Sequence, residues 1–227
     1  MTNPIYAADS IDVRLGGRPI LRAAYVDAVP GTVTALVGRV GAGKSTLFSV
    51  LVGRRRPDGG VVRWKEERWH RARLWRLARC GVCFAPDRPW LAPRLTGADH
   101  LRMIDPGNGW LSLAEELGIT DWLETRVGAL SGGELRLTEV AVALARRPGA
   151  IVLDEPFRGL APLYRDRVGR ALRAAAARGV AVLYADHDAR LVQETADRLF
   201  SIEQGMTRPV SDFRDRPLHE WYHGWPQ

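Results

Sequence analysis

Residues 33 to 52 read VTALVGRVGAGKSTLFSVLV, and their order decides the fold. Val33 to Val37 have the composition of a buried strand. Residues 38 to 46, GRVGAGKST, then satisfy the spacing G-x-x-x-x-G-K-[ST] through Gly38, Gly43, Lys44 and Ser45. From Lys44 the pattern continues as a helix until Gly53 and the turn at Pro57 to Gly60. Strand, glycine loop and helix together make an anion cradle: glycines let backbone N–H groups turn inward, and the helix N-terminus adds its positive dipole end. Lys44 is placed to neutralise β- and γ-phosphate charge, and the Ser45 hydroxyl to ligate Mg²⁺. The whole run Gly38, Arg39, Val40, Gly41, Ala42, Gly43, Lys44, Ser45 and Thr46 is therefore the candidate ATP-binding loop.

A second strand supports it. AIVLDEP, residues 150 to 156, is an apolar run ending in Asp154 and Glu155, able to deliver two carboxylates beside the loop from the centre of a sheet. Asp154 is the candidate Mg²⁺ ligand, and Glu155 the group that polarises an attacking water. Around these, short β-like runs at Ile5 to Ala8 and Ile11 to Val13 precede a turn at Gly16 and Gly17. Strands are expected at 61 to 64, 81 to 84 and 180 to 185. Helices are expected at 98 to 104, 111 to 117, 121 to 127, 132 to 145, onward from the second strand to Arg178, and at 189 to 196. This alternation predicts an α/β fold: a P-loop NTPase core with a largely parallel sheet, an N-terminal antiparallel β subdomain and a short helical subdomain. One domain is expected over residues 4 to 206, its helical part near 96 to 147, followed by an irregular C-terminal tail at 207 to 227.

Residues 130 to 134 read LSGGE. Ser131 can cap a helix beginning at Gly132, Glu134 completes an S-x-x-E capping box, and the glycines bare the backbone to a second phosphate. With the phosphate loop before it and LDEP after it, the chain resembles the ATP-binding cassette (ABC) ATPases from about Pro4 to Met206. That resemblance implies a homodimer or heterodimer of cassettes. In it, Ser131, Gly132 and Gly133 of one subunit face the ATP held by the loop of the other. It also implies membrane-spanning transporter partners and a cytoplasmic location on the inner face of the membrane. His187, after the strand VAVLYA and Asp186, falls at the family's switch histidine, which contacts the γ-phosphate and helps orient water and Glu155.

Three positions depart from the family pattern. Asp87 stands where the family has Gln; it can still reach Mg²⁺ or its water, but it adds negative charge beside Asp154 and Glu155. Leu15 stands where an aromatic residue stacks on adenine, offering apolar contact without π stacking; Arg14 or Tyr6 are the candidate substitutes. Ala161 replaces an Asp, and GLAP at 159 to 162, like GR at 38 to 39, is similar to branched-chain amino-acid importer cassettes. The segment between Thr96 and Leu130 is shorter than is usual in the family.

No apolar run approaches the roughly 20 residues of a membrane span. The opening MTNPIYAADS lacks a basic start followed by an apolar core, so a cytoplasmic protein is expected. The net charge of +7 admits nucleic-acid partners, but the arginines are spread along the whole chain rather than gathered in one tract, which sets a dedicated groove aside. Trp64, Trp69 and Trp75 are expected to pack on the core. With Cys80 and Cys83 as the two cysteines, a disulfide scaffold is excluded, and on a strand their spacing puts them on opposite faces as buried thiols. HEWYH at 219 to 223 matches H-E-x-x-H, but Gly224 and Pro226 follow it where a zinc-protease helix has to continue. The rival to a transporter subunit is a non-transport cassette acting on nucleic acid or ribosomes, or a partly degenerate regulatory one.

Overall fold

The computed structural model describes residues 3–215. Strands β1 (Tyr6–Leu15) and β2 (Arg18–Ala28) form a hairpin, which β4 (Gly59–Trp64) and β5 (Glu67–Trp69) extend into an antiparallel sheet of order β2-β1-β4-β5. The two short runs expected near the N-terminus are thus one strand. Its pairing with β2 slips between Ala8 and Ile11, where Ser10 takes a φ of 54°, and this irregularity is what interrupts the apolar alternation. The return strand β2 escaped the sequence because four of its eleven residues, Arg18, Pro19, Arg22 and Ala23, are exposed and break its apolar run.

The second sheet holds β3 (Val33–Val37), β6 (Val82–Ala85), β7 (Ala150–Asp154), β8 (Ala181–Asp186), β9 (Arg198–Glu203) and β10 (Met206–Val210), in the order β10-β9-β3-β8-β7-β6. All its pairs are parallel except β9 with β10. Every residue of β3, β7 and β8 is buried, because helices or the first sheet cover both faces. On one face Leu36, Val152 and Leu183 share a core with α1 (Lys44–Leu51) and the antiparallel sheet. On the other, Val37, Leu153 and Tyr184 share one with α5 (Gly132–Ala145) and α6 (Pro162–Ala177). The remaining helices are α2 (Leu74–Arg79), α3 (Gly97–Ile104), α4 (Leu111–Leu117) and α7 (Ala189–Thr195).

Several expectations need correction. The tail expected to be irregular from residue 207 begins with β10, where Pro209 is tolerated because β10 is the sheet edge and a missing N–H costs no inner ladder bond. HEWYH lies outside the described residues. The helix expected over 121 to 127 is instead two 3₁₀ turns, Thr120–Trp122 and Val127–Ala129. Cys80 is not on a strand: it caps α2, half-buried, and Cys83 alone lies on β6. Trp64 and Trp69 are buried, but Trp75 is 55% exposed. Tyr6 is unavailable for stacking, being 1% exposed with its hydroxyl donating to the Leu51 carbonyl at 2.5 Å.

Candidate nucleotide site at the strand ends

Parallel register fixes where the chemistry gathers. Val37 of β3 pairs with Asp186 of β8, and Asp154 of β7 pairs with Ala185, so three neighbouring strands end level. Their exits deliver the loop 38–46, the Asp154–Glu155 pair and the Asp186–His187 pair to one edge of the sheet.

Two glycines of the loop are dictated within the chain. A Cβ on Gly38 would lie 2.6 Å from the Ile202 carbonyl oxygen, and Gly43 caps α1 at φ 112° with Leu21 Cδ2 only 2.9 Å from any added Cβ. Between them Arg39, Val40 and Gly41 are exposed and Ala42 half-buried, and beyond Lys44 Ser45 is exposed and Thr46 half-buried, leaving the loop's rim open. Lys44 is 7% exposed and folds back across the loop, its Nζ donating to the carbonyls of Gly38 at 2.5 Å and Arg39 at 3.2 Å. Burial lowers its pKa, while Glu155, Asp154 and Asp186 pull the other way.

Asp154 is 4% exposed, and its Oδ1 has no hydrogen-bond partner. Its pKa is pushed up to about 6, first by burial and then by the charges of Asp87 and Glu155, against the opposing effects of Ser45 and Lys44. A desolvated carboxylate with an orphaned oxygen, facing a serine hydroxyl, is a donor set that fits Mg²⁺. This cation takes one or two carboxylates and completes its shell with phosphate oxygens and water. Among the described residues no cluster of three or more His, Cys, Asp or Glu side chains could hold a metal. Asp87, exposed just after β6, lies within electrostatic reach of Asp154.

Glu155 takes φ 51°, a left-handed conformation that costs a non-glycine residue about 1–2 kcal/mol. Its N–H is pinned to the Ala185 carbonyl at 2.9 Å, which holds the strained turn and swings the side chain off the line of β7. His187 Nδ1 stands 3.8 Å from Glu155 Oε1 and 3.7 Å from Asp186 Oδ1. Asp186 organises this turn, accepting from the His187 and Asp188 N–H groups at 2.7 and 3.0 Å. Burial raises the Asp186 pKa, and those two backbone bonds work against it.

The signature segment opens α5, with Ser131 and Gly132 exposed and Gly133 close to the Gly159 carbonyl. Ser131 and Glu134 form the expected capping box: the Glu134 N–H donates to Ser131 Oγ at 3.3 Å, and the Ser131 N–H to Glu134 Oε2 at 2.8 Å. Nothing lies within 4 Å of a Cβ placed on Gly132, and Gly133 is half-buried. Leu15 ends β1, 39% exposed and paired with Arg18 at the tip of the hairpin whose return strand touches Gly43 through Ile20 and Leu21. Ala161 immediately precedes α6 and supplies no side-chain cap.

The profile of the ABC transporter family matches residues 21–158. The chain belongs to this family. It is an ATP-binding ATPase subunit of the ABC type, and relatives across the family align over most of its length. The lipopolysaccharide export system ATP-binding protein LptB of Acidithiobacillus ferridurans is 32% identical, over 83% of this chain and 82% of the relative. The hemin import ATP-binding protein HmuV of Rhodococcus jostii is 33% identical, over 96% and 80%. In fold, the cassette is similar to the crystallised ADP conformation of an ATP-binding cassette of an ABC transporter, with a TM-score of 0.82 at 23% identity, covering 99% of this chain and all of that one.

Two ion pairs near the site escaped the sequence. Arg158 Nη1 lies 3.5 Å from Glu155 Oε2, but a lone arginine after a turn carries no signal. Arg136 and Glu139 form a buried pair on α5; opposite charges three apart just before the apolar run Val140 to Ala145 were the available clue.

Proposed function

We propose that this cassette binds MgATP in the loop Gly38–Thr46 and hydrolyses it at an interface between two cassettes, to drive membrane-spanning partners. The observation that carries this reading is the level ending of β3, β7 and β8, which gathers Lys44, Asp154, Glu155 and His187 at one edge. Lys44 leaves the loop carbonyls for the phosphates. Ser45, Asp154 and Asp87 would hold Mg²⁺, which would neutralise phosphate oxygens. Glu155, set across the strained turn, accepts a proton from the attacking water, and His187 steadies both that carboxylate and the γ-phosphate. Ser131, Gly132 and Gly133 offer their open backbone to the nucleotide on the partner cassette, and Leu15 gives the adenine an apolar edge.

No helix among the described residues is long and apolar enough to cross a membrane, so a peripheral place on the inner face, beside membrane subunits, is part of this reading. The relatives' names, lipopolysaccharide export and hemin import, favour transport over action on nucleic acid or ribosomes. The same names leave the direction open. Kinship with branched-chain amino-acid importer cassettes rests on GLAP and GR alone. Lys44→Ala abolishes tight ATP binding. Glu155→Gln keeps it, accumulates an ATP-dependent dimer by light scattering, and loses at least ~100-fold in turnover, the scale of general-base catalysis. Undiminished turnover in Glu155→Gln sinks the assignment.

A further inference from the structure

Helix α5 carries the signature at its N-terminus and, one turn further on, the pair Arg136 and Glu139, whose side chains are 7% and 2% exposed. Neither residue spends its bonds within its own helix alone. Arg136 Nη1 donates to the Pro86 carbonyl at 2.8 Å and to Glu139 Oε2 at 3.2 Å, while Nη2 donates to the Asp87 carbonyl at 2.8 Å. Glu139 Oε1 accepts from the Trp90 N–H at 2.9 Å. The segment leaving β6, residues 86–90, is thus held at both ends by one buried ion pair from the signature helix. Burying two charges is costly unless each finds a full set of partners, and here the partners are backbone groups of an otherwise irregular stretch.

A helix is stiff over one turn, so Ser131 and Arg136 move as one body, roughly 7 Å apart along the axis at 1.5 Å per residue. Clamping the Pro86 and Asp87 carbonyls to that body sets where the exposed Asp87 carboxylate stands relative to Asp154. We propose that Arg136 and Glu139 are positioning residues that make the Asp87 segment follow the signature helix, coupling engagement of the partner cassette to the metal side of this chain's own site. The proposal rests on the reading of Asp87 as a metal-side group and assigns the pair no contact with nucleotide.

The test uses the full chain and three readouts: melting temperature, ATP affinity, and turnover over a Mg²⁺ titration. Replacing both partners, Arg136→Met with Glu139→Met, removes the charges together and avoids stranding one of them. The expected double variant folds and binds ATP within about 2-fold of the parent. It loses about 10-fold or more in kcat, and its half-activating Mg²⁺ concentration shifts by at least about 3-fold, the scale of losing one well-placed charged contact. Arg136→Lys, which keeps one donor cluster, recovers part of the kcat. A folded double variant with parental kcat and parental Mg²⁺ dependence overturns the proposal.

Should the double variant not fold, hydrogen exchange on the intact chain decides. Amides of 86–90 and 132–139 change protection together between the nucleotide-free chain and ATP-loaded Glu155→Gln if the clamp transmits, and independently if it does not. Failure of the active-site reading is separable, because it shows as parental turnover in Glu155→Gln whatever the pair does.

Discussion

Arg158 and Glu155 form an ion pair across a single turn, Nη1 to Oε2 at 3.5 Å, while His187 Nδ1 lies 3.8 Å from the other carboxylate oxygen. The Arg158 side chain is 62% exposed, so the pair is screened by water and worth at most about 1 kcal/mol. If Glu155 gives up that contact to work on water, Arg158 can change the barrier by no more than about 5-fold. Arg158→Ala is therefore expected to leave melting temperature nearly unmoved and to alter kcat less than about 5-fold. A change on the order of 100-fold would mean that Arg158 reaches the reacting phosphates.

Gly38 and Gly132 are both motif glycines, yet the chain needs them for different reasons. An alanine at 38 would drive its Cβ into the Ile202 carbonyl and Cγ2, within 2.7 Å, so β9 or the loop has to shift. Overpacking of this kind costs about 1–3 kcal/mol, and Gly38→Ala is expected to lower stability and ATP affinity together. At Gly132 there is open space, so Gly132→Ala should change stability by no more than about 0.5 kcal/mol. If the exposed backbone serves a partner's nucleotide, turnover in that variant falls while monomer stability and single-chain ATP binding persist. Denaturant unfolding beside steady-state ATPase assays separates the two.

Cys80 and Cys83 differ in reactivity because one ends a helix and the other enters a strand. Burial pushes the Cys83 thiol up to about 11, whereas Cys80 is half-buried. The thiolate is the reactive form, so at pH 8 a colorimetric disulfide reagent should label Cys80 quickly and Cys83 only on unfolding. Two equivalents of fast labelling in the native chain would contradict this placement.

The strands that carry the site were legible because both their faces are covered. VTALV and AIVLD are apolar without interruption, and each runs straight into its functional residues, so sequence order alone located Lys44, Asp154 and Glu155. The antiparallel hairpin was only half legible: exposed pairs at Arg18–Pro19 and Arg22–Ala23 interrupt β2, and strained residues such as Ser10 break its partner's alternation. Long-range polar contacts were not legible at all. Nothing in the order of residues says that Arg136 reaches back to the carbonyls of Pro86 and Asp87, because that depends on how α5 lies against the exit of β6. Trp75 shows the same limit from the other side. Its sequence places it with the buried tryptophans, yet it faces solvent because α2 buries Leu77 instead.

Asp154 should make the site a source of instability until it is filled. Its carboxyl is raised from the ordinary 3.8 to about 6, chiefly by burial, so the folded chain binds this proton more tightly than the unfolded one. The favourable contribution is complete below the unfolded pKa and is lost as pH rises through about 6. In EDTA and without nucleotide, Asp154→Asn is accordingly expected to stabilise the chain at pH 7.5 by at most about 3 kcal/mol. That gain should shrink as the pH is lowered through about 6 and approach zero only below the ordinary 3.8, where the parent carboxyl is protonated in both states. Mg²⁺ and ATP reverse the ranking, stabilising the parent and not the variant, since a bound cation relieves the desolvated charge. Chemical denaturation of both proteins across pH, with and without MgATP, checks each arm; a variant no more stable than the parent at pH 7.5 would mean that the Ser45 hydroxyl and Lys44 already compensate the buried charge.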